Sequence, residues 1–178
     1  MTEKEAENLC KMIRIGVDLG KYKHYYHPKT REELKDLIGK LIKERGNEAD
    51  LNDVNVSQIK DMSGMFYESS FNEDISKLDV SKVENMAWMF TRSEFNKDIS
   101  SWDVRGVKNM YGMFCGSQFN EDISNWNVSS VEDMCHMFRN SQFNGDISDW
   151  DVSSVRGMFG MFYESKFNGD ISKWAKKP

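Results

Sequence analysis

The side chains able to do chemistry are few and scattered. The histidines are His24, His27 and His136, and the cysteines are Cys10, Cys115 and Cys135. There is no C-x-x-C, no glycine-rich phosphate loop and no G-x-S-x-G elbow. Serine and aspartate are plentiful, but they recur at fixed positions. Asp74, Asp98, Asp122, Asp146 and Asp170 form one column, with Asp50 in register. Ser69, Ser93, Ser117, Ser141 and Ser165 form another. Two chemistries suit a carboxylate column. Each Asp can accept from the backbone N–H or hydroxyl of a turn, or the column can hold cations. Cation-binding β-helices use glycine-rich turns with Asp at nine-residue spacing, and those turns are missing, so the turn reading is preferred. No catalytic residue, no cofactor and no resident metal is expected.

The elements that position these columns follow from a strict period of 24. Phe66, Phe90, Phe114, Phe138 and Phe162 form one series, and Phe71, Phe95, Phe119, Phe143 and Phe167 a second. Met62, Met86, Met110, Met134 and Met158 run in step with Met65, Met89, Met113, Met137 and Met161. Trp102, Trp126, Trp150 and Trp174 share a slot with Leu78. A period in this range means stacked coils that cannot bury their faces alone. The unit reads F-N-x-D-I-S-x-W-D-V-S-x-V-x-x-M-x-x-M-F-x-x-S-x. The expected coils are 47–70 (degenerate, with Leu51, Val54 and Val56), 71–94, 95–118, 119–142, 143–166 and a partial 167–178.

Within each coil the spacing predicts a short strand at 74–76, a corner near Lys77 and a second extended piece at 78–80. A short helix follows, over roughly residues 82–90. Val83, Met86, Met89 and Phe90 would share one helical face, and Ser81 with Glu84 would form a capping box. Asn72, Asn96, Asn120, Asn144 and Asn168 suit a ladder in which each amide bonds the next coil's backbone.

Residues 1–46 do not repeat and are read as a helical cap. Thr2 with Glu5 and Thr30 with Glu33 announce two helices. The first carries Ala6, Leu9, Cys10 and Ile13 on one face, and the second Leu34, Leu37, Ile38, Leu41 and Ile42. The cap holds eleven bases and eight acids, the array thirteen and twenty-one. The tract Tyr22-Lys23-His24-Tyr25-Tyr26-His27 is expected to pack on the acidic array. The net charge of −5 argues against nucleic-acid binding. No apolar run is long enough for a membrane-spanning helix, so no membrane insertion is expected. With no signal peptide, the chain as written reads as cytoplasmic, or as surface-displayed or secreted if a leader was removed.

Repeat arrays bind through slots that the core does not fix. The slots between and after the Met columns hold Trp88, Tyr111, His136, Arg139, Phe159 and Tyr163, which the pattern does not require. Tyr, Trp and Arg are frequent interface anchors. These six are the candidate contacts for a protein partner. The alternatives are a homodimer through the final coil, around Trp174, or an acidic decoy of a basic site.

The unit closely resembles the repeats of BspA-type leucine-rich-repeat surface proteins, also known from mycoplasma-type lipoproteins. The resemblance covers residues 47–174, and the stretch from His27 to Asn52 resembles the lead-in to such an array. It implies an α/β fold, a right-handed LRR-like solenoid of short parallel strands plus short helices with an α-helical N-terminal cap. It also implies surface display, binding of host or matrix proteins and no agreed catalytic site.

Overall fold

The computed structural model describes residues 25–46 and 48–176. The first expected helix (Thr2, Glu5, Ala6, Leu9, Cys10, Ile13) lies outside the described residues, as do Tyr22, Lys23, His24 and the terminal Lys177-Pro178.

The helix announced by Thr30 is α1, Arg31–Arg45. Thr30 Oγ1 accepts from the Glu33 amide at 3.1 Å, while Glu33 reaches back to the Lys29 amide at 2.8 Å. Glu32 and Glu33 in the first turn and Lys43 and Arg45 in the last complement the helix dipole. Gly46 closes α1 at a φ of 81°, with its amide bonded to the Ile42 carbonyl. Leu34, Ile38 and Leu41 are buried in the same core as Leu51, Val54 and Val56 of the first coil. Two arginines bolt the helix down. Arg45 pairs with Asp53 at 2.8 Å, and Arg31 donates from Nε and Nη2 to the Ser63 carbonyl at 2.9 and 2.7 Å.

The coils stack in register, but they are made of turns. Ser76 and Lys77 form a corner closed by the Leu78 amide on the Ile75 carbonyl, and Val83 closes a second turn on Val80. The chain then alternates between two kinds of bond. Met86, Trp88, Phe90 and Arg92 donate to carbonyls of the next coil, those of Asn109, Tyr111, Met113 and Cys115, at 2.8–2.9 Å. Met89, Thr91 and Ser93 donate back to Met86, Trp88 and Phe90 at 3.2 Å. Isolated parallel bridges run Asp61, Asn85, Asn109, Asp133, Gly157.

This overturns the expected fold. Among the described residues there is one α-helix, a 3-10 helix at Ser172–Lys176 and only isolated bridges. It is therefore not an LRR-like α/β solenoid of parallel strands plus helices. Residues 74–76 and 78–80 are not strands, and 82–90 is not a helix. Ser81 and Glu84 cap nothing: Ser81 donates to Asp79, and Glu84 accepts from Lys60. The physical reason is twofold. A helix closes its amides on itself, whereas here alternate amides are spent between coils. In addition, the second coil takes positive φ at Trp88 (60°) and Arg92 (53°), which a right-handed helix cannot contain.

The core slots are filled as columns of rings. Phe66, Phe90, Phe114, Phe138 and Phe162 stack with centroids 5.4–5.9 Å apart and planes within 4°. Where one coil hands over to the next, Phe114 lies 4.3 Å from Phe119 and Phe138 4.3 Å from Phe143. Each of the four tryptophans in the column donates from Nε1 across a coil boundary: Trp102 to the Ile75 carbonyl, Trp126 to Ile99, Trp150 to Ile123 and Trp174 to Ile147, at 3.1–3.2 Å. That bond lets an indole occupy a core slot without an orphaned N–H.

Candidate functional site

The polar columns hold the coils together. Asn72 Oδ1 accepts from the Asn96 amide, Asn96 from Asn120, Asn120 from Asn144 and Asn144 from Asn168, at 2.7–2.9 Å. Each Asp of its column accepts the amide two residues on: Asp74 from Ser76, Asp98 from Ser100, Asp122 from Ser124, Asp146 from Ser148 and Asp170 from Ser172. These serine hydrogen bonds hold the Asp carboxyls below their usual range. Neighbouring Asp charges push back on Asp98 and Asp122, as expected for like charges one coil apart. Among the described residues no cluster of three His, Cys, Asp or Glu is arranged to hold a metal ion.

The candidate contacts lie on the alternating-turn segment. Trp88 packs on Tyr111 at 4.6 Å, Tyr111 on His136 at 5.6 Å and His136 on Phe159 at 5.4 Å. The guanidinium of Arg139 sits 5.0 Å from the Tyr163 ring centroid. Four coils thus contribute one unbroken row of rings, flanked by a cation–π pair. Trp88 is 39% exposed, Tyr163 55% and Phe159 79%, while Tyr111, His136 and Arg139 are half-buried.

The backbone beneath the row explains its spacing. One slot holds Gly64, Trp88, Gly112, His136 and Gly160, all with φ between 58° and 63°. Glycine takes this left-handed conformation freely; a side chain there is strained by roughly 1 kcal/mol or more. Glycine also makes room. A Cβ on Gly112 would meet the Trp88 ring at 2.6 Å, and one on Gly160 would meet His136 Nδ1 at 2.6 Å. The slot therefore alternates ring and notch, each large ring lying over the glycine of the next coil. His136 Nδ1 is enclosed without a hydrogen-bond partner.

Beside the row lie two clefts that share Trp88. One, of about 350 Å³, is lined by Trp88, Arg92, Tyr111, Cys115, Gly116, His136, Arg139 and Asn140. Burial pushes the Cys115 thiol up, against the pull of Arg139 and Arg92. The other, of about 460 Å³, lies between the row and α1, with Arg31, Lys35, Ser63, Gly64, Met65 and Tyr67 on its walls. All six candidates from sequence fall on this surface. Tyr67 (47% exposed), Arg92, Arg31 and Lys35 belong to it and were not singled out. Tyr67 occupies the slot of Arg139 and Tyr163, which was the signal for it. Arg31 and Lys35 arrive from α1, and no sequence spacing places them.

Among the described residues no helix is long and apolar enough to cross a membrane. The repeats match the family described as mycoplasma protein of unknown function, DUF285, over residues 36–140 and 113–178. The chain belongs to that family, whose description names no activity. No curated protein and no solved structure matches the chain.

Proposed function

We propose that the protein is a non-catalytic scaffold that binds a protein partner through the row Trp88, Tyr111, His136 and Phe159 with the Arg139–Tyr163 pair. The observation that carries this reading is the conformation of Trp88. Its slot is a left-handed position where glycine is the unstrained choice, and a large, partly exposed ring stands there instead. Strain of this kind persists where the side chain has a task. Partly exposed aromatics beside arginine are the composition of binding hot spots. The likeness of the unit to BspA-type surface repeats supports adhesion or host-partner binding as the setting.

The test is affinity capture from native lysate and host matrix with wild type and Trp88→Ala in parallel, with melts of both. A specific protein retained by wild type and lost from a variant of similar melting temperature is the expected result. Identical captures from both would place the binding face elsewhere.

A further inference from the structure

The charge of the surface runs against the charge of the chain. Acids outnumber bases 29 to 24 in the whole sequence. Yet the two clefts meeting at Trp88 are walled by Arg31, Lys35, Arg92 and Arg139, and among the described residues no Asp or Glu stands on either lining. Two of these cations are unmatched: among the described residues neither Lys35 nor Arg139 has a carboxylate within 4.0 Å. Arg92 commits one nitrogen to Glu68 at 2.8 Å, and Arg31 spends two on the Ser63 carbonyl while lying 3.6 Å from Glu32 and 3.9 Å from Asp61, so the uncompensated charge is that of Lys35 and Arg139. Like charges gathered around one exposed ring repel one another; Lys35 is exposed, and Arg139 rests on the Tyr163 ring with its charge unpaired by any carboxylate among the described residues. An anionic ligand removes that repulsion.

We propose that this basic–aromatic surface takes an acidic, tyrosine- or phenylalanine-containing peptide segment, extended along the coil stack. The proposal rests on the reading of the aromatic row as the binding face. Rings of the ligand would stack on Trp88 and Tyr111, and its carboxylates would meet the cations on both sides. From the first coil, beside α1, to the fourth, with Arg139, is roughly 14 Å at about 4.8 Å per coil, the reach of four to five extended residues. The planar guanidinium fork of arginine can hold a carboxylate through two parallel hydrogen bonds, a geometry it also offers to phosphate, which is why the test includes a nucleic-acid probe.

The probe is a fluorescein-labelled decapeptide of alternating Glu and Tyr, read by anisotropy. Three controls replace it: Lys for Glu, Ser for Tyr, and a ten-nucleotide oligothymidylate. The Glu–Tyr peptide should bind best, and its affinity should fall roughly ten-fold or more as salt rises from about 50 to about 500 mM. A Lys35→Glu variant, changed at an exposed helix position, and Arg139→Gln should each weaken it several-fold, as should Trp88→Ala. Equal binding by wild type and both charge variants overturns the proposal. Trp88-dependent binding of the Lys–Tyr peptide instead overturns acid preference and leaves the aromatic face standing. Tighter binding of oligothymidylate overturns the peptide assignment in favour of nucleic acid. No Trp88-dependent binding of any probe, with wild-type protein still losing its captured partner on Trp88→Ala, also overturns the acidic-peptide assignment alone. The same silence with capture unaffected removes the aromatic face as well.

Discussion

The two ends of the coil stack carry the same slots and differ in everything that covers them. At the first coil, α1 lays Leu34, Ile38 and Leu41 over the core, and Arg31 donates to the outward Ser63 carbonyl. At the last coil, Met158 is 36% exposed, whereas Met62, Met86, Met110 and Met134 in the same slot are fully buried. The difference is also one of polarity. Along the alternating-turn segment each coil donates N–H to the next, so that segment has an acceptor end and a donor end, although amides elsewhere, such as Glu84 and Glu94, donate to the coil before. Met134, His136, Phe138 and Asn140 find carbonyls in the last coil, whereas Met158, Gly160, Phe162 and Glu164, their equivalents there, have no backbone acceptor among the described residues. A side chain rich in donors suits the acceptor end, which is what Arg31 supplies. Unused acceptors lie at the last coil too: among the described residues the carbonyls of Arg156 and Ser165 receive no amide, whereas their equivalents Glu132 and Ser141 accept from Arg156, Gly157 and Lys166.

If coverage sets the energy of a slot, the same substitution should differ between middle and end. The largest contrast is in the tryptophan column. Trp126 is 4% exposed with its indole N–H on the Ile99 carbonyl, and Trp126→Ala should cost about 3–5 kcal/mol through the cavity and the orphaned carbonyl. Trp174 makes the same bond to Ile147, but among the described residues no further coil covers it and it is only half-buried. Trp174→Ala should cost about half as much or less. Chemical unfolding of the pair decides this; equal losses would mean that the last coil is covered in solution.

Next comes the notch. Gly112→Ala places a Cβ against the Trp88 ring at 2.6 Å in a left-handed position, so overpacking adds to strain and the loss should be about 2–4 kcal/mol. Gly64→Ala, in the same slot of the first coil, meets only Arg31 Nη2 at 3.7 Å and should lose about 1 kcal/mol from strain alone. If Gly112→Ala in a Trp88→Ala background still loses as much as it does alone, the ring is not what the glycine accommodates.

These contrasts also mark what the sequence could reveal. The 24-residue period, the Phe, Met and Trp core slots, the corner at Lys77 and the helix after Thr30 are all legible, because burial and capping leave fixed spacings. The helix expected over 82–90 is absent for a physical reason. Apolar residues at Val83, Met86, Met89 and Phe90 suit a helical face, but a run of β-turns, each closing on the residue three back, returns to the same side with the same spacing. The clue was in another slot. Gly64, Gly112 and Gly160 share a register with Trp88 and His136, and recurrent glycine there signals positive φ. The ring row was legible through slots that the repeat leaves free. Its cationic flank from α1 was not, since Arg31 and Ser63 are joined by tertiary packing alone.

The smallest contrast lies in the asparagine column, and it isolates the ladder from the core. Asn120 Oδ1 accepts the Asn144 amide at 2.7 Å, so Asn120→Ala leaves that amide without its partner at a corner. The side chain is exposed and carries little apolar area, so the loss should be one hydrogen bond, about 1 kcal/mol. Asn168 occupies the same slot at the end of the stack. Its own amide is bonded to Asn144, but among the described residues its Oδ1 receives nothing. Asn168→Ala should therefore be neutral within about 0.3 kcal/mol. Hydrogen exchange gives the sharper readout: the Asn144 amide should lose protection in Asn120→Ala, and no amide should respond to Asn168→Ala. Water can replace the lost acceptor at an exposed corner, in which case the stability difference vanishes while the exchange difference remains. Loss of both would show that the column is a by-product of the 24-residue register and does not help to set it.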